Sequence, residues 1–162
     1  MFTDKKPNAP RVALVGCSKA KQTHSAPARE LYTSGLFHAA LEYAEKNCDA
    51  VLVVSAFHGV VAPKAVIQPY DRSLRAYGKR EREDWGARTI GQLLPSFKVP
   101  PQLVMLAGKL HADALLYGAH WYNLPRPEQP LSGIVGFGPR VKWLKTNTLV
   151  NKTDERVSGD RQ

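Results

Sequence analysis

Cysteine is scarce in this sequence, and its two cysteines, Cys17 and Cys48, lack the spacing of a zinc site. The five histidines form no pair four residues apart and no cluster with a cysteine. We therefore expect no metal, because a metal would have to use carboxylates that the sequence does not group. We expect no disulfide either, since disulfides are rare in cytosolic proteins.

Long apolar runs are absent as well: none approaches the roughly 20 residues needed to span a bilayer. The first ten residues lack the apolar segment of a secretory signal. The length of 162 residues and the 43% hydrophobic content predict one globular domain over 11–150. We expect a flexible N-terminus over 1–10 and a disordered tail over 151–162. These features predict a soluble cytoplasmic protein with no membrane partner.

Acidic side chains are outnumbered, because 14 Asp and Glu stand against 23 Lys and Arg, for a formal net charge of +9. Residues 5–29 contain six basic side chains and no acidic one, and residues 85–153 contain eight basic and two acidic ones. This segregation favours a polyanionic partner, of which nucleic acid is the usual case. The alternative is a basic protein without such a partner.

Short apolar runs alternate with helical patterns along the chain. The runs predict buried strands over 11–16, 50–55 and 103–107. The helical patterns cover 28–46, roughly 81–94, and a short stretch after Gly108. A break is expected at residues 33–35, where Thr, Ser and Gly lower the helix propensity, and 119–132 should be irregular. The alternation predicts an α/β class, a single-domain sandwich with a mostly parallel central sheet.

Polar side chains follow the second predicted strand. Ser55 and His58 stand at its C-terminal end, and the loop that follows closes on Tyr70 and Asp71. Open α/β sheets bind ligands at that end of their strands, so we name Ser55, His58 and Asp71 as candidate catalytic residues. The alternative is a strand, a Gly-Pro turn and a capping Asp.

The first strand also ends in a polar loop, which begins with Cys17, Ser18 and Lys19. Its backbone N–H groups, with Ser18 and Lys19, could hold a phosphate. The spacings of a P-loop and of a dinucleotide fingerprint are both missing, so no cofactor is predicted. Cys17 is either a nucleophile or a small buried apolar residue. Tyr32 and Thr33 could direct hydroxyl groups toward this loop, although core packing is the better expectation for Tyr32.

A glycine-rich segment near the C-terminus leads into basic residues. Arg140, Lys142 and Lys145, together with Lys21 of the first loop, could contact phosphates, and Trp143 could stack on a base. The alternative is a glycine turn into an amphipathic segment whose Val141 and Trp143 or Leu144 seal the core.

Four motifs together resemble a family of small uncharacterised bacterial and phage proteins. The motifs are GCSKxK, LYTSxLF, SAxHGxxxPxxxIxPYD and GxGxRxxWL, and they run from Val12 to Leu144. More distantly, the chain resembles the YaaA peroxide-stress family, in which similar residues fall in the same order. The matching positions are Ser18, Lys19, Tyr32, Thr33, Ser55, Gly59, Pro63, Pro69 and Tyr70.

The YaaA resemblance implies DNA binding and protection from oxidative DNA damage. Related domains also accompany enzymes that exchange or modify deazaguanine bases in nucleic acid. The chain departs from the YaaA pattern at Phe57, His58 and Asp71, in its shorter length, and in lacking an obvious helix-hairpin-helix-like DNA-binding element. The resemblance and the basic charge favour DNA over RNA as partner.

Two hypotheses follow. The first is an enzyme that cleaves or exchanges the N-glycosidic bond of a modified or damaged base in DNA. Asp71 would stabilise an oxocarbenium-like sugar or direct a water, His58 or Lys19 would protonate the base, and Tyr70 or Trp143 would stack on it. The second is a non-catalytic DNA- or nucleotide-binding protein in stress response or phage defence. A third and weaker hypothesis is a hydrolase or transferase that acts on a small-molecule nucleotide. The enzymatic hypothesis requires Lys19 to face His58 and Asp71 across one cavity.

Overall fold

The computed structural model describes the backbone of residues 2–159 and the side chains of residues 2–148. Its central sheet consists of β1 (Arg11–Gly16), β3 (Ala50–Ser55), β4 (Gly59–Val61) and β6 (Gln102–Leu106). The strand order is β4–β3–β1–β6, with β1 parallel to β3 and β6, and with β4 antiparallel at the edge. This confirms the predicted α/β class with a mostly parallel sheet.

A two-stranded ribbon, β2 (Ala26–Pro27) with β5 (Val66–Ile67), lies apart from this sheet. It joins the segment after β1 to the segment after β4. Two further backbone bonds, from Ala28 N–H to the Ala65 carbonyl and from Arg29 N–H to the Pro63 carbonyl, extend the connection. The ribbon therefore holds together the two polar loops that sequence analysis singled out.

The helices are α1 (Ala28–Leu31), α2 (Gly35–Asn47), α3 (Lys79–Leu93), α4 (Lys109–Trp121) and α5 (Phe137–Gly159). Short 3₁₀ turns cover Leu74–Ala76 and Leu94–Ser96. The predicted break is confirmed between α1 and α2, where the Ser34 hydroxyl accepts the N–H groups of Leu36 and Phe37. The prediction of a short fourth helix was wrong, because α4 runs for 13 residues into the stretch expected to be irregular.

Alternate residues of the strands face two separate cores, as the period of a strand requires. Ala13 and Val15 belong to the core beneath α2 and α5, whereas Val12 and Leu14 belong to the core beneath α3 and α4. The sheet is thus covered by helices on both faces. Because both faces are covered, the polar residues next to the sheet lie at the ends of its strands.

The segments outside the predicted domain are described only in part. Thr3 contacts the segment that follows α4, where its N–H donates to the Leu124 carbonyl and its hydroxyl to the Asn123 carbonyl. The tail predicted as disordered begins inside the backbone of α5, and residues 160–162 lie outside the described residues. Among the helices that are described, none is long and apolar enough to cross a bilayer.

Candidate functional site

A cavity of about 750 Å³ lies at the C-terminal ends of the central strands. Parallel sheets place ligand sites at this edge because the loops that leave neighbouring strands converge there. Its walls are the loop after β1, the segment before α3 and the start of α4. The lining residues are Cys17, Ser18, Lys19, Lys21, Ala56, Asp71, Arg72, Ser73, Leu74, Arg75, Ala76, Gly108, Lys109, Leu110 and His111.

Lys19 and Asp71 share this cavity, so two residues from separate loops are brought together as the enzymatic hypothesis required. His58 does not join them in the cavity, because its side chain is exposed and lies outside the lining. Its backbone N–H donates to the Ser55 hydroxyl, and its ring contacts Phe57 and Tyr70. The arrangement predicted from sequence therefore holds for the lysine loop and the carboxylate but not for the imidazole.

Three hydroxyl groups form a chain behind the cavity wall. The Ser55 hydroxyl accepts the N–H groups of Phe57 and His58 and donates to the phenol oxygen of Tyr70 at 2.7 Å. That oxygen lies 2.6 Å from the phenol oxygen of Tyr32. Ser55 and Tyr32 are fully buried, so neither can touch a ligand in the cavity. Both were predicted as site residues, and the structure makes them positioning residues instead.

Tyr70 supports a cation at the cavity wall. The Lys21 ammonium lies 4.4 Å from the centre of the Tyr70 ring, a cation–π distance, and also donates to the Lys19 carbonyl. Burial raises the pKa of Tyr70, and it raises the pKa of Tyr32 to about 12. Both phenols therefore stay neutral at physiological pH. The chain of hydroxyl groups is thus a fixed support for Lys21.

A thiol and an imidazole of the lining also meet, and Cys17 Sγ lies 3.4 Å from His111 Nε2. Cys17 follows β1, and its N–H donates to the Val54 carbonyl. His111 lies in the first turn of α4, with its ring perpendicular to Trp85 at 5.3 Å between centres. Burial lowers the pKa of His111 to about 4, so the ring is neutral at pH 7.

The lining is strongly positive. Five of the described lining residues are cationic and one, Asp71, is acidic: the cations are Lys19, Lys21, Arg72, Arg75 and Lys109. Three of the cations have defined partners: Lys21 lies over the Tyr70 ring, Arg72 lies over the Phe57 ring at 4.9 Å, and Lys109 pairs with Asp113 at 2.9 Å. A concave surface of one charge sign concentrates ions of the opposite sign. The cavity therefore suits an anionic ligand.

Two more predicted substrate-binding residues, Ser18 and Thr33, make hydrogen bonds to the loop after β1. Ser18 lines the cavity, but its hydroxyl donates within its own loop to the Ala20 carbonyl at 3.0 Å. Thr33 is exposed and contributes its backbone N–H to the same carbonyl. These bonds shape the loop that carries Lys19.

The basic residues predicted near the C-terminus lie outside the described lining of the main cavity. Trp143 is half-buried against Tyr43 of α2, with ring centres 5.4 Å apart, which is the packing alternative that sequence left open. Lys142 and Lys145 are exposed on α5, and Arg140 donates to the Ile134 carbonyl. Arg140 lines two smaller cavities, of about 70 and 310 Å³. Within the described lining of the main cavity, no residue comes from α5.

Four charged or titratable residues of the lining were not predicted from the sequence: Arg72, Arg75, Lys109 and His111. A usable signal existed for the last two, because Gly108 follows a predicted strand and opens a helix at the ligand-binding edge. A metal site is not evident in the described part of the chain, where no three His, Cys, Asp or Glu side chains are grouped closely enough to hold an ion.

Comparison with curated proteins finds no significant match to the sequence. The model of a family of unknown function, DUF6884, matches residues 12–146, a range that begins within β1 and ends within α5. The chain therefore belongs to the DUF6884 family.

Proposed function

We propose that the protein acts on nucleic acid and cleaves or exchanges the N-glycosidic bond of a base held in the main cavity. One observation carries the proposal: Asp71 stands in a cavity of about 750 Å³ whose other charged lining residues, among those described, are cations. That volume lies within the usual range of small-molecule sites, roughly 300–1,000 Å³, and accommodates one nucleotide.

The two kinds of charge have separate roles in this proposal. Arg72 and Arg75 bind the phosphates on either side of the base. As the bond to the base breaks, the sugar takes on oxocarbenium character, and the Asp71 carboxylate stabilises that positive charge or directs a water to it. Lys19 protonates the departing base, because it lines the cavity whereas His58 lies outside the lining.

The preference for DNA rests on charge and on resemblance. The formal net charge of +9 suits a polyanion. The order of the strand-end residues supports a distant relation to YaaA-like proteins, which are linked to DNA. A base inside a duplex cannot reach such a cavity unless it leaves the stack, so we expect single-stranded or locally unpaired DNA to be the better substrate.

The test is release of a free base, detected by mass spectrometry. The purified protein is incubated with single-stranded and duplex oligonucleotides that carry a panel of modified bases, and with the matching free nucleotides. We expect release from at least one substrate, and we expect Asp71→Asn to abolish release while oligonucleotide binding persists. Asp84→Asn is the matched control, because Asp84 is exposed on α3 and lies outside the described lining, and this variant should retain both.

A non-catalytic binding protein is the alternative outcome. It would show salt-sensitive oligonucleotide binding with no base released from any substrate, and an Asp71→Asn variant that behaves like the wild type.

A further inference from the structure

The thiol–imidazole pair on the cavity wall has no part in the glycosidic chemistry proposed above. Cys17 Sγ and His111 Nε2 are 3.4 Å apart, and both residues line the same cavity as the cations. The backbone of Cys17 is fixed by its bond to the Val54 carbonyl, and His111 is fixed in the first turn of α4. A nucleophile within reach of a base, both fixed and both facing a cavity, is the arrangement of covalent catalysis.

We propose that Cys17 is a nucleophile whose thiol proton passes to His111, so that the cavity binds covalently an anionic ligand that carries an electrophilic carbon. In the step, the S–H proton moves to Nε2 and the sulfur electron pair forms an S–C bond. The leaving group departs with the electrons of its own bond to that carbon. The imidazolium then returns its proton to solvent.

The surroundings of His111 determine how it takes the proton. Burial lowers the pKa of His111 and keeps its ring neutral at pH 7. Because the same burial disfavours the imidazolium, the proton moves to Nε2 only as the S–C bond forms. The indole ring of Trp85, perpendicular to the imidazole at 5.3 Å, limits how far the imidazole can turn. The indole is itself held by a 3.1 Å hydrogen bond from its N–H to the Ser55 carbonyl.

The cations of the lining determine the class of ligand. Lys19 and Lys109 stand on the two segments that carry Cys17 and His111, and Arg72 and Arg75 face them from the segment after Asp71. Their summed field raises the local concentration of an anion near the thiol and has little effect on a neutral compound. A phosphate ester or carboxylate with a reactive carbon is therefore favoured.

The chain contains its own reference thiol. Cys48 is half-buried at the end of α2, outside the described lining of the cavity, and its N–H donates to the Ala44 carbonyl. Burial raises the pKa of Cys48, and a raised pKa lowers the fraction of reactive thiolate. Both cysteines can be followed in one sample by peptide mass spectrometry.

The experiment compares two alkylating probes on the full chain at pH 7. Iodoacetate is an anion and iodoacetamide is neutral, and both transfer a carbon to sulfur with loss of iodide. We expect Cys17 to react with iodoacetate at least about tenfold faster than Cys48. We expect the iodoacetate-to-iodoacetamide rate ratio to be higher at Cys17 than at Cys48, and the excess to shrink in high salt.

Two variants separate the role of His111 as proton acceptor from the role of the lining cations. His111→Gln should slow both probes at Cys17 by about tenfold or more and leave Cys48 unchanged. Lys109→Ala should slow iodoacetate at Cys17 and leave iodoacetamide unchanged, and it keeps the test decisive if His111→Gln does not fold. Lys142→Ala, on α5, should change neither rate.

Equal behaviour of the two cysteines toward both probes would overturn the proposal. So would a folded His111→Gln variant that alkylates at the wild-type rate. Base release does not enter these measurements, so their outcome is independent of the glycosidic proposal.

Discussion

The hydroxyl of Ser55 donates a 2.7 Å hydrogen bond to the phenol oxygen of Tyr70, and this contact joins the end of β3 to the residue that precedes Asp71. Ser55 is fully buried, and Tyr70 in turn lies against Lys21. The contact therefore fixes the positions of two charged lining residues that come from different loops.

Removal of this hydroxyl should destabilise the protein and loosen the cavity wall. In Ser55→Ala, the Tyr70 phenol loses a donor, and the N–H groups of Phe57 and His58 lose their acceptor. We expect a loss of roughly 1–3 kcal/mol in the free energy of unfolding, measured by urea denaturation. The exposed Ser96→Ala is the control, with an expected change below about 0.5 kcal/mol. Equal effects of the two substitutions would contradict the account.

The contact between α3 and α4 depends on glycine. A Cβ added at Gly86 would lie 1.9 Å from the Ala114 carbonyl oxygen, so Gly86→Ala must push the two helices apart. Since Trp85 on α3 touches His111 on α4, the displacement should reach the cavity. We expect a loss of about 1–3 kcal/mol or more in the free energy of unfolding.

Gly138→Ala is the matched control for that substitution. Gly138 is also helical, but nothing lies within 4 Å of the Cβ that would be added. We expect no loss of stability, and a gain of up to about 1 kcal/mol from the higher helix propensity of alanine. A Gly86→Ala variant as stable as Gly138→Ala would show that the helices do not meet closely there.

His111 should make stability depend on pH below neutrality. Its pKa is about 4 in the folded protein and about 6.5 in an unfolded chain, so between these values the unfolded state binds more protons. The contribution of His111 is therefore complete above about pH 6.5 and is lost as the pH falls through 4. A shift of this size corresponds to roughly 3 kcal/mol at most.

The measurement is the free energy of unfolding of wild type and His111→Gln at pH 7, 5.5 and 4.5. The difference between the two proteins should change progressively as the pH falls, because the variant lacks the titrating group. Other groups titrate in both proteins and cancel in the difference. A constant difference across these three pH values would contradict the prediction.

The sequence predicts most of the sheet and part of the site. The bounds of β1 and β3 were predicted correctly because each is a continuous apolar run. The joint placement of Lys19 and Asp71 followed from the rule that polar residues after parallel strands meet at one edge.

The features that the sequence did not predict depend on contacts between distant residues, which no local pattern encodes. The length of α4 depends on close packing against α3 at Gly86 and Gly118, which buries Gly118 and Ala119 where the sequence begins to look irregular. Trp143 has the same helical spacing whether it packs on Tyr43 or faces solvent, so sequence could not decide between them. The pairing of Cys17 with His111 joins residues 94 positions apart.

The most direct test is a measurement of which surface binds an oligonucleotide, the cavity or α5. Calorimetric titration with a short single-stranded oligonucleotide at low salt is applied to wild type and to two double variants of equal charge change. Lys19→Ala with Arg75→Ala empties the cavity of two cations, and Lys142→Ala with Lys145→Ala removes two from α5. We predict that the cavity variant binds at least about tenfold more weakly and that the α5 variant changes by less than about twofold. Weaker binding by the α5 variant, with unchanged binding by the cavity variant, would contradict the central claim.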